Sequence, residues 1–286
     1  MKSRIAIVAV SLSIALSFSN GRADEFYKDK TIHFVVGAPA GGGYDTYARA
    51  VARYLGKHLP GNPTMVVDNM DGAGSLIAAN YLYNKAEPDG LTIGVWISGQ
   101  IIRQALGDRG PRFDARKFGW IGAPSKGSPT CAIMAFTGMK TWDDVLHSKR
   151  PIRMGGVRAG TAYDDAPTIL NNVAGTKFEV ITGYKGTSPI RIALQSREVE
   201  GACLGWESMR VSDRAMLDAN GDEKLIPFIT HKRLEDPELK GLPLFTEVIK
   251  GKDNLATYDT WAASYEFQRP FSVPPKTPAE RLQLLR

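Results

Sequence analysis

From Ile32 to Asp45 the chain reads IHFVVGAPAGGGYD, an apolar run of strand character that breaks into a triple glycine. The stretch that follows, YDTYARAVARYLGKHL, has the apolar period of a helix, so the glycines deliver a strand into a helix at one point. Without Cβ atoms, Gly41, Gly42 and Gly43 let main-chain N–H groups approach an anion, and the N-terminus of the following helix points at the same spot. A tight strand-to-helix turn with no ligand is the competing reading of the glycines alone. Strands that feed helices this way build an α/β architecture, and the pattern recurs along the chain. Strands are expected at 32–36, 64–68 and 91–97, with helices at 45–59 and 75–84. The loops GAPAGGG and NMDGAGS both follow strands, so both face the crevice at the carboxyl ends of one sheet. A second unit with the same plan begins after Gly122: strands at 151–155, 178–181 and 199–204, glycine-bearing loops GGVRAGTAYDD and GYKGTSPI, and a helix at 191–197. The run from Lys224 to Thr230 reads as a strand crossing back to the first unit.

The N-terminus carries Lys2 and Arg4, an apolar run from Ile5 to Phe18, and Gly21-Arg22-Ala23, the pattern of a secretory signal peptide cleaved near Ala23. Cleavage there removes three basic and no acidic residues, taking the net charge from +6 to +3. That is too mild a balance for nucleic acid, and the lysines and arginines do not gather on one segment. The expected location is the periplasm. Cys131 and Cys203 sit in strand-like runs; we read them as buried free thiols, while an oxidising compartment permits a bridge if the two strands are neighbours.

Five motifs in order carry a resemblance. APAGGGYD followed by AR, VVDNMDGAGS, PDGLTIG, YKGTSP, and PLFTE near residue 245 are together similar to the extracytoplasmic receptors of tripartite tricarboxylate transporters, the Bug family of periplasmic solute-binding proteins. The resemblance covers residues 26 to 286. It implies a two-lobed periplasmic-binding-protein fold of the Venus-flytrap, type II-like kind with a ligand cleft between the lobes. It also implies capture of a small carboxylate (a di- or tricarboxylate, an acidic amino acid or an aromatic acid), a monomer, no cofactor or metal, and delivery to large and small inner-membrane transporter subunits. On this reading lobe 1 takes residues 24–122 and 223–286, and lobe 2 takes 123–222. A ligand sensor docking to a signalling receptor, and more remotely a periplasmic enzyme acting on a small acid, are the alternatives.

The resemblance gives the loop from Pro39 through Gly41, Gly42, Gly43 and Tyr44 to Asp45, and the loop Gly72, Ala73, Gly74, Ser75, the task of holding one ligand carboxylate, partly through water. Asp45 would organise water or a ligand donor, or cap the helix. In lobe 2 this chain departs from its relatives, with Gly156 for a usual serine, Arg158 for a glycine and Asp164 where histidine is frequent. Arg158 would form a bidentate pair with a distal carboxylate, or a salt bridge with Asp164 or Asp165. Gly160, Thr161, Tyr163 and Tyr184 border the cleft, while Lys185 is read as solvated. The chain ends at TPAERLQLLR, where the resemblance implies several tens of further residues and hence apolar surface left exposed on the helix 280–286. His33, His58, His147 and His231 are scattered, and no Gly-x-Ser-x-Gly, His-Glu-x-x-His or Walker motif occurs.

Overall fold

A computed structural model describes residues 26–286. The predicted signal peptide lies outside the described residues. Two five-stranded sheets divide the chain. The first is built from β1 (Thr31–Val36), β2 (Thr64–Asn69), β3 (Thr92–Val95), β4 (Gly119–Gly122) and β10 (Phe271–Val273) in the order β2-β1-β3-β10-β4. The second is built from β5 (Pro129–Met134), β6 (Ile152–Gly155), β7 (Phe178–Ile181), β8 (Gly201–Gly205) and β9 (Leu225–Thr230) in the order β7-β6-β8-β5-β9.

Within each sheet the glycine loops follow parallel strands. β1 runs parallel to both β2 and β3, and β6 runs parallel to β7 and β8. Parallel neighbours cannot be joined by a hairpin, so each needs a crossover helix. Those helices are α1 (Gly43–His58), α2 (Leu76–Asn84), α4 (Ala162–Ala174) and α5 (Thr187–Gln195), while α3 (Gly99–Ala105) and α6 (Trp206–Ser212) follow β3 and β8. α1 lies close on its sheet because its inward positions are small: Ala48 and Ala52 are buried while Arg49 and Arg53, each next in sequence, are exposed. β5 is buried along its whole length, which is why TCAIM reads as a continuous apolar run rather than an alternation.

The crossing points differ from the sequence reading. Leu225–Thr230 does not return to the first unit; it pairs antiparallel with β5 as the edge of the second sheet. The second lobe therefore continues well beyond residue 222. Its core takes in Phe228, Phe245 and, from the helix α7 (Lys252–Ala262), Tyr258 and Trp261. The chain rejoins the first sheet only at Phe271, between β3 and β4. A short apolar run such as LIPFIT states that it is a buried strand but not which sheet receives it.

The cysteines are likewise corrected. β8 lies directly against β5, Cys131 faces Cys203 in antiparallel register with Cα atoms 4.0 Å apart, and the two form a disulfide. The helix expected at 191–197 begins four residues earlier, at Thr187. Pro189 sits in its first turn, where a missing N–H costs nothing. The last helix, α8 (Ala279–Leu284), packs Leu282 and Leu284 against the first core instead of leaving them exposed, and Arg286 Nε donates to the Trp120 carbonyl at 3.1 Å.

Candidate functional site

The two sheets face each other across a cleft that leaves about 60 Å³ between the lobes. Its first wall is the β1–α1 loop. Gly37 needs to be glycine because a Cβ there would lie 2.7 Å from the Ser75 Cβ, and Ser75 Oγ donates to the Gly37 carbonyl at 2.6 Å. The two glycine loops of the first lobe are thus locked together. Ala73 and Ser75 both hold positive φ (47° and 71°), a conformation that costs energy for any residue with a Cβ and that clusters at ligand clamps.

Asp45 braces this wall. It is the third residue of α1, and its carboxylate reaches back to accept the Gly41 N–H at 2.9 Å, the Arg49 Nε–H at 2.9 Å and the Asn69 Nδ2–H at 3.0 Å. Burial would push its pKa up, but these bonds from Arg49, Gly41 and Asn69 outweigh burial and hold it below the usual carboxylate range. The second lobe repeats the device. Asp164, the third residue of α4, accepts the N–H groups of Val157 at 2.6 Å and Arg158 at 2.7 Å, and the hydroxyls of Thr161 and Thr182. Asp165 accepts the Gly160 N–H. In both lobes the acid stands behind the loop and sets its shape.

Three helices start at the cleft. The opening residues of α1 (Gly43, Tyr44), α4 (Ala162, Tyr163) and α5 (Thr187) line it, and none of the three helices has a side-chain cap. The N–H groups of these residues find no acceptor among the described residues. A helix start carries about half a positive charge and several unpaired donors. Three of them, drawn from both lobes, give the cleft a positive polarity made of backbone.

Eight of the residues singled out from sequence line the cleft: Pro39, Gly42, Gly43, Tyr44, Gly74, Ser75, Thr161 and Tyr163. Gly41, Asp45, Gly72, Ala73 and Gly160 belong to the same segments but are not among the lining residues. Two are corrected outright. Arg158 is not among the lining residues and makes no salt bridge with Asp164 or Asp165: its side chain runs beside Gly74 and toward Gly110, and Asp164 accepts its backbone N–H. Tyr184 turns away and donates its hydroxyl to Glu198.

Lys185, read as solvated, stands at the mouth, exposed, with its Nζ 3.7 Å from Asp71 of the other lobe. Sequence reasoning missed the floor of the cleft altogether. Gln268 and Arg269 arrive on the segment that returns the chain to the first sheet, beside Tyr265 and Ser208. Tyr44 donates its hydroxyl to Gln268 Oε1 at 3.1 Å, and Arg269, only 1% exposed, lies over the rings of Tyr44 and Tyr47 at 5.5 and 4.2 Å. An arginine between a glutamine and a proline gives no sign in sequence that it is buried.

Among the described residues no cluster of metal-ligating side chains occurs, and no helix is long and apolar enough to cross a membrane. Elsewhere in the second lobe, burial pushes Asp213 up to about 7, only partly offset by Arg191, and Asp165 up to about 6, only partly offset by the Gly160 N–H. Both groups hold a proton in the folded chain at pH values where the unfolded chain, near 3.8, has released it. The folded state binds more protons there, so stability falls as pH rises from 4 toward 7. We expect a higher unfolding temperature at about pH 5 than at about pH 8, and a smaller difference in Asp213→Asn. A melting temperature that rises across that interval would contradict the assignment.

The comparisons with known proteins agree with this geometry. No protein-family profile matches the chain. A UPF0065 protein from the TAR-I ttuE-ttuC' intergenic region of Agrobacterium vitis is 29% identical over 201 residues, 68% of this chain and 57% of the relative. A second UPF0065 protein, from the tcbD-tcbE intergenic region of Pseudomonas sp. (strain P51), is 30% identical over 113 residues, 39% of this chain and 33% of the relative. The matched regions thus span little more than half of the first relative and a third of the second. Among solved structures, the periplasmic binding protein BugD superposes with a TM-score of 0.70 at 21% identity, covering 91% of this chain and 81% of its own. The chain has the fold of the Bug periplasmic binding proteins. MatC from Rhodopseudomonas palustris, solved with bound malate, shares that Bug fold at a TM-score of 0.70 and 20% identity, with 90% and 82% of the two chains covered. A second R. palustris protein, solved with adipate, does so at 0.69 and 20%, with 90% and 80% covered. The Bug resemblance and the two-lobed α/β class read from the sequence are both borne out.

Proposed function

We propose that this chain is a Bug-type extracytoplasmic receptor that captures a small carboxylate between its lobes and delivers it to inner-membrane transporter subunits. The observation that carries the reading is the meeting of three uncapped helix starts, from both lobes, at one cleft. A carboxylate offers up to four lone-pair sites and is satisfied by two or three N–H donors, so such a cleft matches it without a charged side chain at every position. Two neighbours of the same fold hold malate and adipate, both carboxylates.

Among the described residues, the ionisable side chains lining the cleft are Lys185, Arg269 and three tyrosines, with no histidine, cysteine or acid. Burial keeps Tyr44 and Tyr163 protonated, pushing Tyr44 up to about 12 and Tyr163 higher still. A site so furnished offers donors and no general base near neutral pH, which favours binding over turnover.

The cleft is narrow, about 60 Å³, and is walled by residues of both lobes, so ligand entry is expected to accompany a parting of the lobes. Ligand then bridges the α1 start on one side and the α4 and α5 starts on the other, and stabilises the closed population by its differential affinity. The test is thermal unfolding of the protein against a panel of di- and tricarboxylates, aromatic acids, amino acids and nucleotides. A ligand at about 100 times its dissociation constant adds roughly 2.7 kcal/mol, an upshift of several degrees. Stabilisation by one carboxylate class is the expected result; a folded protein that ignores every acid refutes the reading.

A further inference from the structure

We propose that Arg269 is the specificity-determining residue of the cleft, a guanidinium that reads a second acidic group on the ligand; this rests on the carboxylate reading above. The backbone donors at the helix starts account for one carboxylate and discriminate poorly between acids. Arg269 is a different kind of partner. It stands on the cleft floor and is 1% exposed, yet its own hydrogen bonds go only to neutral oxygens: Nη2–H to Ser208 Oγ at 2.7 Å and Nη1–H to Ser125 Oγ at 3.1 Å. Its Nε–H is buried and has no partner.

The acid near it is Glu207, whose Oε2 lies 3.9 Å from Nη2, beyond hydrogen-bond reach, and is itself without a partner. Glu207 Oε1 is taken by the Ser128 N–H at 2.9 Å. Burial raises the Glu207 pKa, against the pull of Arg269. A buried cation with an unused N–H, whose one ion-pair partner Glu207 stands 3.9 Å away without a hydrogen bond, is held more favourably when an anion bonds it directly. The faces of Tyr44 and Tyr47 hold the guanidinium flat and orient it, and the Ser125 and Ser208 hydroxyls fix its rotation. A planar fork held this way matches a carboxylate at two points, a contact that a monoacid anchored at the helix starts does not make.

The experiment is titration calorimetry at about pH 7.5, where both carboxylates of a diacid are ionised, using malonate, succinate, glutarate and adipate beside their monomethyl esters, on the wild type, Arg269→Gln and Arg269→Lys. The wild type is expected to bind its preferred diacid at least ~10-fold more tightly than the matching ester. Arg269→Gln is expected to weaken the diacid ~10- to 100-fold while moving the ester by less than ~3-fold, and Arg269→Lys to recover only part of the loss because an ammonium lacks the fork. Equal affinity of diacid and ester in the wild type, or an equal loss of both in Arg269→Gln, overturns the assignment of Arg269 while leaving carboxylate capture standing. If the variants do not fold, the wild-type diacid-to-ester ratio decides alone. Failure of the wild type to bind any of these acids removes the carboxylate reading itself.

Discussion

Replacing both cysteines, Cys131→Ala with Cys203→Ala, is expected to lower the stability of the second lobe by about 4 kcal/mol. The disulfide closes a loop of 72 residues, and loop-closure entropy for that length amounts to about 4 kcal/mol at room temperature. The position strengthens the case. β5 and β8 are adjacent in the centre of the second sheet, both cysteines are fully buried, and the segment between them contains β6, β7, α4 and α5. Two of the three helix starts at the cleft lie inside the closed loop, so the cross-link holds together the elements that present them. Because the sulfurs are inaccessible, reductant acts mainly on unfolded chains, and equilibrium denaturation of the double variant is the cleaner measurement. A denaturant midpoint corresponding to less than about 1 kcal/mol of loss would show that the bridge contributes little.

Gly43→Ala is expected to abolish ligand capture, lowering affinity by ~100-fold or more, without harming the fold. A Cβ at Gly43 would lie 2.0 Å from Ser208 Oγ and 2.7 Å from Ser208 Cβ, and both belong to α6 of the opposite lobe. Ser208 is held by Arg269 and cannot move away cheaply. Within its own lobe, by contrast, Gly43 is the first residue of α1 with no positive φ, so alanine there is the better helix former by up to about 1 kcal/mol. The substitution thus separates folding from closure. Gly99, where a Cβ would meet the Gly160 carbonyl oxygen of the other lobe at 2.2 Å, marks the same constraint on the opposite rim. An unchanged melting temperature with lost binding is the expected pair of results; affinity within ~3-fold of wild type would mean that capture does not need the lobes this close.

The parts of this molecule that could be read in its sequence are those whose cause is local. The glycines after β1 and β2 mark places where two backbones approach, and the structure puts Gly37 against Ser75 as such a signal requires. Asp45 is legible as a carboxylate at a helix start, whereas Asp164 reads from sequence only as a partner for Arg158, and the bonding partners of neither are visible. What they hold, the N–H groups of Gly41, Val157 and Arg158, follows from how each loop doubles back on its own helix. A guanidinium in a glycine loop is conspicuous in the sequence, but the bond between Arg158 and Asp164 runs through the backbone N–H, which no side-chain pattern announces.

Illegible features were non-local. Which sheet receives β9, whether β5 touches β8, and which side chain returns to the cleft floor at residue 269 all depend on strand order, which no single segment encodes. Arg269 is the sharpest case. It lies more than 220 positions from Tyr44, whose ring it covers.

Amide hydrogen exchange of the wild type, with and without a saturating carboxylate chosen by the thermal panel, decides whether both lobes hold one anion. New protection is expected in three segments, 37–45, 155–163 and 184–188, because the helix-start N–H groups of both lobes become donors to one bound anion. Protection confined to one lobe, or found away from these helix starts, would contradict it.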